Sequence, residues 1–207
     1  MGEVLEFKKK EGEEMQTISA WWKYDNELSD ETIDKILEIG EGQWQTATTL
    51  GKDEKTTDKN VRKTDIIWNN EQWLYDLFWG YMVNANQRAG WNLDIECAES
   101  FQLGRYTDGG HYDFHIDGDM MGTDTSLSEE SLLYGKTRKI SMVCWLNEDF
   151  EGGEFQFHDS VSRKEGLIKP TKGTIVLFPS FYAHKVHPVT EGTRYSLVTW
   201  FQGYPVK

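Results

Sequence analysis

The chain has 207 residues, 38% apolar and 14% aromatic: too many core-forming side chains for a disordered segment, and a length that one hydrophobic core can serve. Its 35 acidic against 22 basic side chains leave a net charge of −13, which repels phosphate backbones and makes nucleic acid a poor partner. The two cysteines, Cys97 and Cys144, form no CxxC pair, which excludes a zinc ribbon or thioredoxin-like site and leaves two buried free thiols as the expectation.

The N-terminal stretch MGEVLEFKKKEGEEM is charged and lacks the apolar core of a signal peptide, and no apolar run approaches a membrane span. The expectation is a soluble, cytoplasmic protein with no membrane partner. No internal repeat or low-complexity linker interrupts the chain, which predicts a single domain over residues 1–207, polar and helical over 1–92. SDETIDKILEIG (29–40) predicts a short helix capped by Ser29, with Ile33, Ile36 and Leu37 as its apolar stripe and Gly40 as its stop. Residues 45–65, rich in Thr, Lys and Asp, read as a mobile loop. A longer helix follows in NNEQWLYDLFWGYMVNANQRAG, with Asn70 as its cap and Leu74, Leu77, Phe78, Tyr81 and Ala85 on one face.

From about residue 93 to 203 the chain reads as strand after strand. ESFQLGRY, KISMVCWL, GEFQFH, GTIVLF and TRYSLVTWFQ are short, β-branched or aromatic, and bounded by Gly, Pro or Asp. Helices first and strands after predict a mainly β (α+β) fold, a β-sandwich or jelly roll with helices packed outside. The segment between Asp117 and Arg138 is long for a connection, as lids over sites often are.

GGHYDFHIDGD (109–119) holds His-x-Asp twice: His111 with Asp113, and His115 with Asp117. Side chains two apart on a strand point to the same side, so either pair could reach one ion, and spacing does not choose between them. A second histidine must come from elsewhere. Of the remaining three, His158 sits beside Asp159 at a strand end and reads as exposed, while His184 and His187 follow the strand GTIVLF. Two His and one carboxylate on one face suit non-haem Fe(II), with positions left open. Alternation then puts Arg194, Ser196, Val198 and Trp200 on one face of a strand, where an inward arginine calls for an anion such as a carboxylate.

These residues resemble the Fe(II)/2-oxoglutarate-dependent dioxygenases, specifically the prolyl 4-hydroxylase-like branch with the bacterial PKHD-type hydroxylases. Tyr106-x-x-Gly109-x-x-Tyr112-x-x-His115-x-Asp117 follows the first-ligand signature. Arg138-Lys-Ile-Ser and Leu146-Asn147 lead into Gly152-Gly153-Glu154, and Pro179-Ser180 precedes His184-x-Val186-x-Pro188-Val189-x-x-Gly192-x-Arg194-x-Ser196. The likeness runs from about Trp44 to Phe201. It implies a double-stranded β-helix (jelly-roll) core with N-terminal flanking helices, and Fe(II) on His115, Asp117 and His184. Arg194 is implied as the partner of the distal carboxylate of 2-oxoglutarate, with Tyr106 and Trp200 beside the co-substrate, and His111, Asp113 and His187 in variable positions.

The implied reaction couples dioxygen and 2-oxoglutarate to hydroxylation, with succinate and carbon dioxide as co-products and ascorbate as a reductant. The implied substrate is a prolyl residue of a peptide or protein, clamped by flaps at 45–65 and 119–137. The same chemistry on a free amino acid or small metabolite, and an inactive jelly-roll binding protein, stand as alternatives. This chain departs from related prolyl hydroxylases in having Trp145 where a tyrosine often donates to the distal carboxylate. It also stops six residues after Phe201, short of the C-terminal extension of longer PKHD-type members.

Overall fold

Alternation along RYSLVTWFQG gives one strand two environments: Tyr195, Leu197 and Phe201 face one way, Arg194, Ser196, Val198 and Trp200 the other. This strand, Arg194–Gly203, is the spine of the computed structural model, which describes residues 4–5, 18–50, 55–56, 58–123, 127–158, 166–169 and 171–206. It pairs antiparallel with Thr137–Trp145 on one side and Phe101–Tyr106 on the other. Ile175–Pro179 and then Trp22–Tyr24 extend the sheet beyond the first, Asp65–Asn69 and then Gln45–Thr46 beyond the second. The short Cys97–Ala98 strand joins the end of the spine, making eight strands. A second antiparallel sheet of five strands runs in the order Gly166–Ile168, Phe155–Phe157, His184–Val186, His111–His115, Arg62–Lys63. Two antiparallel sheets face to face, with helices outside, make the expected double-stranded β-helix.

Each face of the large sheet has its own core. Outside, Phe101, Leu103, Met142, Cys144, Leu177, Leu197 and Phe201 meet helices α1 (Asp30–Glu38) and α2 (Gln72–Arg88) through Ile33, Ile36, Leu74, Phe78, Met82 and Ala85. Between the sheets, Val143, Trp145, Val176 and Phe178 meet Phe155, Phe157, Ile168 and Val186. Burying an aliphatic or aromatic side chain of this size contributes roughly 1.5–3 kcal/mol. The stripes on α1 and α2 and the alternation on the strands therefore carry the fold. Among the described residues, no helix is long and apolar enough to cross a membrane.

Several local expectations shift. Ser29 does cap α1, accepting from the Thr32 N–H at 3.2 Å, but the helix gives way at Ile39 to a 3-10 turn, and Gly40 lies inside that turn rather than stopping the helix. The cap of α2 is Glu71 and not Asn70, so the helix begins one residue later than expected, and the Asn69 side chain accepts the Glu71 N–H at 2.8 Å where the strand turns into it. Met82, rather than Leu77 or Tyr81, completes the buried stripe of α2. Cys144 is buried as expected, whereas Cys97 is half-buried.

The 45–65 segment is the largest correction. It contributes Gln45–Thr46 to the large sheet, Arg62–Lys63 to the small one, and a two-stranded ribbon of Thr49–Leu50 with Lys55–Thr56. Its polar composition hid the strands because Arg62 and Thr64 are buried with partners, Gln102 Oε1 at 2.6 Å and the Arg105 carbonyl at 3.0 Å. In the 118–137 segment, residues 124–126 lie outside the described residues. Beyond them, turns carry the chain, with the Ser131 N–H donating to Ser128 O at 2.9 Å and the Tyr134 N–H to Ser131 O at 3.0 Å.

Candidate metal and co-substrate site

The strand His111–His115 ends at the first histidine of the expected triad, and its pairing register slips between Tyr112 and His115. Same-side alternation therefore does not carry Asp117, which lies in the following loop. That loop is pinned instead: the N–H groups of Asp117 and Gly118 both donate to the Ser180 carbonyl, at 3.0 and 3.1 Å. His184 opens the neighbouring strand directly opposite His115. The outcome matches the expected grouping by a different backbone route.

His115 Nε2 lies 3.6 Å from Asp117 Oδ1, and His184 Nε2 lies 3.6 Å from Asp117 Oδ2. One ligand atom from each of the three falls within 4.8 Å of the others, a cluster found nowhere else among the described residues. His115 Nδ1 sits 2.8 Å from the Asp113 carbonyl and His184 Nδ1 2.9 Å from the Tyr182 carbonyl. A carbonyl only accepts, so each ring keeps its proton on Nδ1 and presents the Nε2 lone pair to the common point. Ser141 donates its hydroxyl to Asp117 Oδ2 at 2.7 Å, and Ser180 Oγ stands 2.9 Å from Ser141 Oγ.

The electrostatics agree with a cation site. Burial pushes His184 down to about 4, against the pull of Asp117, so the imidazole is neutral at neutral pH and free to ligate. Burial alone would raise Asp117, but His184, His115 and the Ser141 hydroxyl outweigh it and hold the carboxyl well below the usual carboxylate range. Two imidazoles and one carboxylate gathered at one point are a donor set that fits Fe(II).

The other histidines are employed elsewhere. Both ring nitrogens of His111 face backbone carbonyls, Gly109 O at 2.9 Å and Asn60 O at 3.1 Å, and Asp113 accepts the Phe114 N–H at 2.8 Å. His187 Nε2 meets Gln156 Oε1 at 2.7 Å. His158 is exposed, with its ring edge-on to Phe114.

A continuous run of rings leads inward from the metal ligands. His184 stacks on Phe155 at 5.2 Å between ring centres, and Phe155 meets Trp145 edge to face at 5.9 Å. Trp145 in turn lies 5.7 Å from the Arg194 guanidinium carbon. Arg194 is 1% exposed, and Tyr106, in register beside it, covers it with its ring at 4.9 Å. Arg194 Nη1 donates to Ser196 Oγ at 3.0 Å, while Nε and Nη2 find no acceptor among the described residues. Burial pulls its pKa down to about 10, with Tyr106 opposing, so the group remains a cation at neutral pH. Gly153, at φ +64°, makes room for it: a Cβ there would stand 2.9 Å from Arg194 Cδ.

Trp200 stands on the same inner face, 6% exposed, opposite Ser141. Arg138 lies 3.8 Å above its ring and is held by Glu99 through two bonds of 2.5 and 2.6 Å. Gly118 packs on Arg138, since a Cβ there would come within 2.9 Å of it, so this pair borders the Asp117 loop. Sequence reasoning missed Arg62, Ser141, Ser180 and Glu99 as neighbours of the site. Arg62 lies 4.5 Å from the Tyr112 ring, which stacks on His115 at 3.5 Å. The alternation Arg62, Thr64, Ile66, Trp68 carried a signal for it, obscured by the charges around it.

With this geometry in place, residues 101–202 match the family model described as the 2OG-Fe(II) oxygenase superfamily. The PKHD-type hydroxylase of Idiomarina loihiensis is 32% identical over 102 residues, 48% of this chain and 40% of that protein. The PKHD-type hydroxylase PiuC of Pseudomonas aeruginosa is 36% identical over 98 residues, 47% of this chain and 40% of that protein. The match thus spans about two fifths of the length of these relatives. Among solved structures, the viral collagen prolyl hydroxylase from Paramecium Bursaria Chlorella virus-1 in its 2OG complex has a TM-score of 0.65 at 21% identity, covering 89% of this chain and 97% of that one. A Pseudomonas putida prolyl-4-hydroxylase has a TM-score of 0.67 at 21% identity, covering 89% and 93%. These likenesses fall on the paired sheets that carry the His115, Asp117 and His184 cluster and, further in, Arg194, and the chain matches the 2OG-Fe(II) oxygenase superfamily over residues 101–202.

Proposed function

We propose that this chain is an Fe(II)- and 2-oxoglutarate-dependent dioxygenase that hydroxylates a prolyl residue of a peptide or protein, its described residues acting as one catalytic domain. One observation carries the reading: a His-Asp-His cluster and a buried arginine with unpaired donors are joined by one run of rings, His184, Phe155 and Trp145, in the core between the two sheets. His115, Asp117 and His184 would hold the iron, which supplies the activation of dioxygen. Arg194 and Ser196 would hold the far carboxylate of 2-oxoglutarate, leaving its 2-oxo acid end toward the metal. Tyr106 would wall the co-substrate, and Trp200 with Arg138 would border the substrate side.

The protein's own work is positioning and exclusion. Ser141 and the Ser180 carbonyl fix the Asp117 carboxylate and its backbone. Phe155, Phe178 and Val186 keep water from the inner side of His184, whose ring lies 4.7 Å from that of Phe178. The atoms balance with one dioxygen: one oxygen enters succinate as carbon dioxide leaves, and the other enters the hydroxylated C–H bond. The prolyl substrate is supported by the names of the PKHD-type relatives and of the prolyl hydroxylases whose fold this chain shares.

The test is mass spectrometry of a proline-containing peptide library incubated with the protein, Fe(II), 2-oxoglutarate and isotopically heavy dioxygen. Heavy oxygen on proline in a subset of peptides is the expected result. Succinate with label only on added free amino acids or small metabolites would overturn the peptide part, and no succinate with any substrate would overturn the activity.

A further inference from the structure

Each polar atom of Ser180, a fully buried residue, engages either the metal-ligand loop or the strand Thr137–Trp145. Its carbonyl accepts from the N–H groups of Asp117 and Gly118, and its own N–H donates to the Lys139 carbonyl at 2.9 Å. Lys139 sits where the pairing of that strand with the spine slips, between Arg138 and Ile140. Gly118 lets the loop come this close, because a Cβ there would stand 2.9 Å from the Arg138 carbonyl oxygen. Just beyond Ser180, the Tyr182 N–H donates to Pro179 O at 3.0 Å, in the turn that brings the Tyr182 carbonyl to His184 Nδ1. The segment that carries the distal histidine thus also grips the loop that carries the carboxylate.

The Ser180 hydroxyl is a second grip, and its direction is forced. An ionised carboxylate only accepts, so the single hydroxyl proton of Ser141 goes to Asp117 Oδ2 at 2.7 Å. Ser141 Oγ then has only lone pairs to offer Ser180, and the 2.9 Å contact between the two oxygens carries the Ser180 proton. Two buried hydroxyls in line end on one anion, an arrangement in which each bond polarises the next. We propose that Ser180 is a positioning residue for Asp117, acting through the Ser141 hydroxyl. This rests on the reading of His115, Asp117 and His184 as a metal site. The carbonyl of Ser180 sets where the Asp117 backbone lies. Its hydroxyl fixes the Ser141 rotor and so sets how the carboxylate is turned toward the metal.

The experiment is titration of the metal-free protein with Co(II), a coloured stand-in for Fe(II). Wild type, Ser180→Ala, Ser141→Ala and the double variant are compared. Ser180→Ala keeps both backbone bonds and should weaken Co(II) binding about threefold, less than the roughly tenfold of Ser141→Ala, because the Ser180 hydroxyl acts at one remove. It should also shift the visible absorption bands of bound Co(II), which report how the ligands are arranged. The double variant should bind no more weakly than Ser141→Ala, since without Ser141 the Ser180 hydroxyl has nothing to act through. Unchanged affinity or unchanged bands in Ser180→Ala would show a merely structural role and overturn the inference, as would losses that multiply in the double variant. Should Ser180→Ala not fold, Ser180→Cys, whose thiol is a weak donor, takes its place with the same outcomes. Wild-type protein that binds no Co(II), or binds it as tightly after His115→Ala, would instead overturn the site reading together with the inference.

Discussion

The two ends of the site are built on opposite plans. At the metal end each of the three ligands has its supporting partner: each imidazole Nδ1 meets a carbonyl, and Asp117 accepts from Ser141. At the inner end Arg194 and Trp145 are sealed from water with donors left over. The metal end is therefore aligned before anything binds, while the inner end, held by Ser196 and the Tyr106 ring, keeps donors that only a guest can pair. Preorganisation and unmet demand are different ways to make a site, and one small protein uses both.

The largest effect that separates the ends is loss of the triad. His115→Ala, Asp117→Ala and His184→Ala should each abolish metal retention and 2-oxoglutarate turnover, while His111→Ala and His187→Ala keep both within a few-fold; metal analysis after dialysis and succinate assays check this. An inactive His111→Ala beside an active His115→Ala would reverse the assignment.

Next comes Arg194→Met. It should weaken 2-oxoglutarate binding by about a hundredfold, at the upper end of a hydrogen-bonded charge contact, with metal affinity unchanged. It should also raise the melting temperature of the ligand-free protein, because a buried unpaired cation gives way to an apolar side chain. A lower melting temperature would mean that the empty cradle is already satisfied. Ser141→Ala should act only at the other end, lowering metal affinity about tenfold, as loss of a supporting hydrogen bond to a ligand does, with little change in melting temperature. The smallest effect is chemical: in the native protein Cys97 should react slowly with a thiol reagent and Cys144 not at all. Cys97 is half-buried, whereas Cys144 is 0% exposed and burial drives its thiol pKa far up.

Periodicity made much of this legible in the sequence. The α1 stripe, the Ser29 cap and the inward face of Arg194, Ser196 and Trp200 follow from spacing, because burial on one face is the strongest constraint a chain encodes. The choice of His115 over His111 was not legible from spacing. All four candidates share parity, and what separates them is where the strand stops and which carbonyl captures the following loop. Ser141 was hidden because a serine within KISMVCWL looks like any strand residue until Asp117 arrives from 24 positions away. Arg62 was hidden because a buried arginine leaves the same mark in a sequence as a solvated one.

Ser141 and Trp145 belong to one strand, Thr137–Trp145, and face the same side of it, opposite Trp200 and Ser196. At roughly 3.3 Å per residue their backbones stand about 13 Å apart, so the strand acts as a ruler laid along the inner face of the large sheet, touching the metal ligand at one mark and the buried Arg194 near the other. Its irregular pairing falls at Lys139, outside the graduated part. A residue inserted between the marks would turn one of them toward α2 and the outer core. The span that a co-substrate must bridge is thus written in backbone, and side-chain substitutions can sharpen its ends without changing its length.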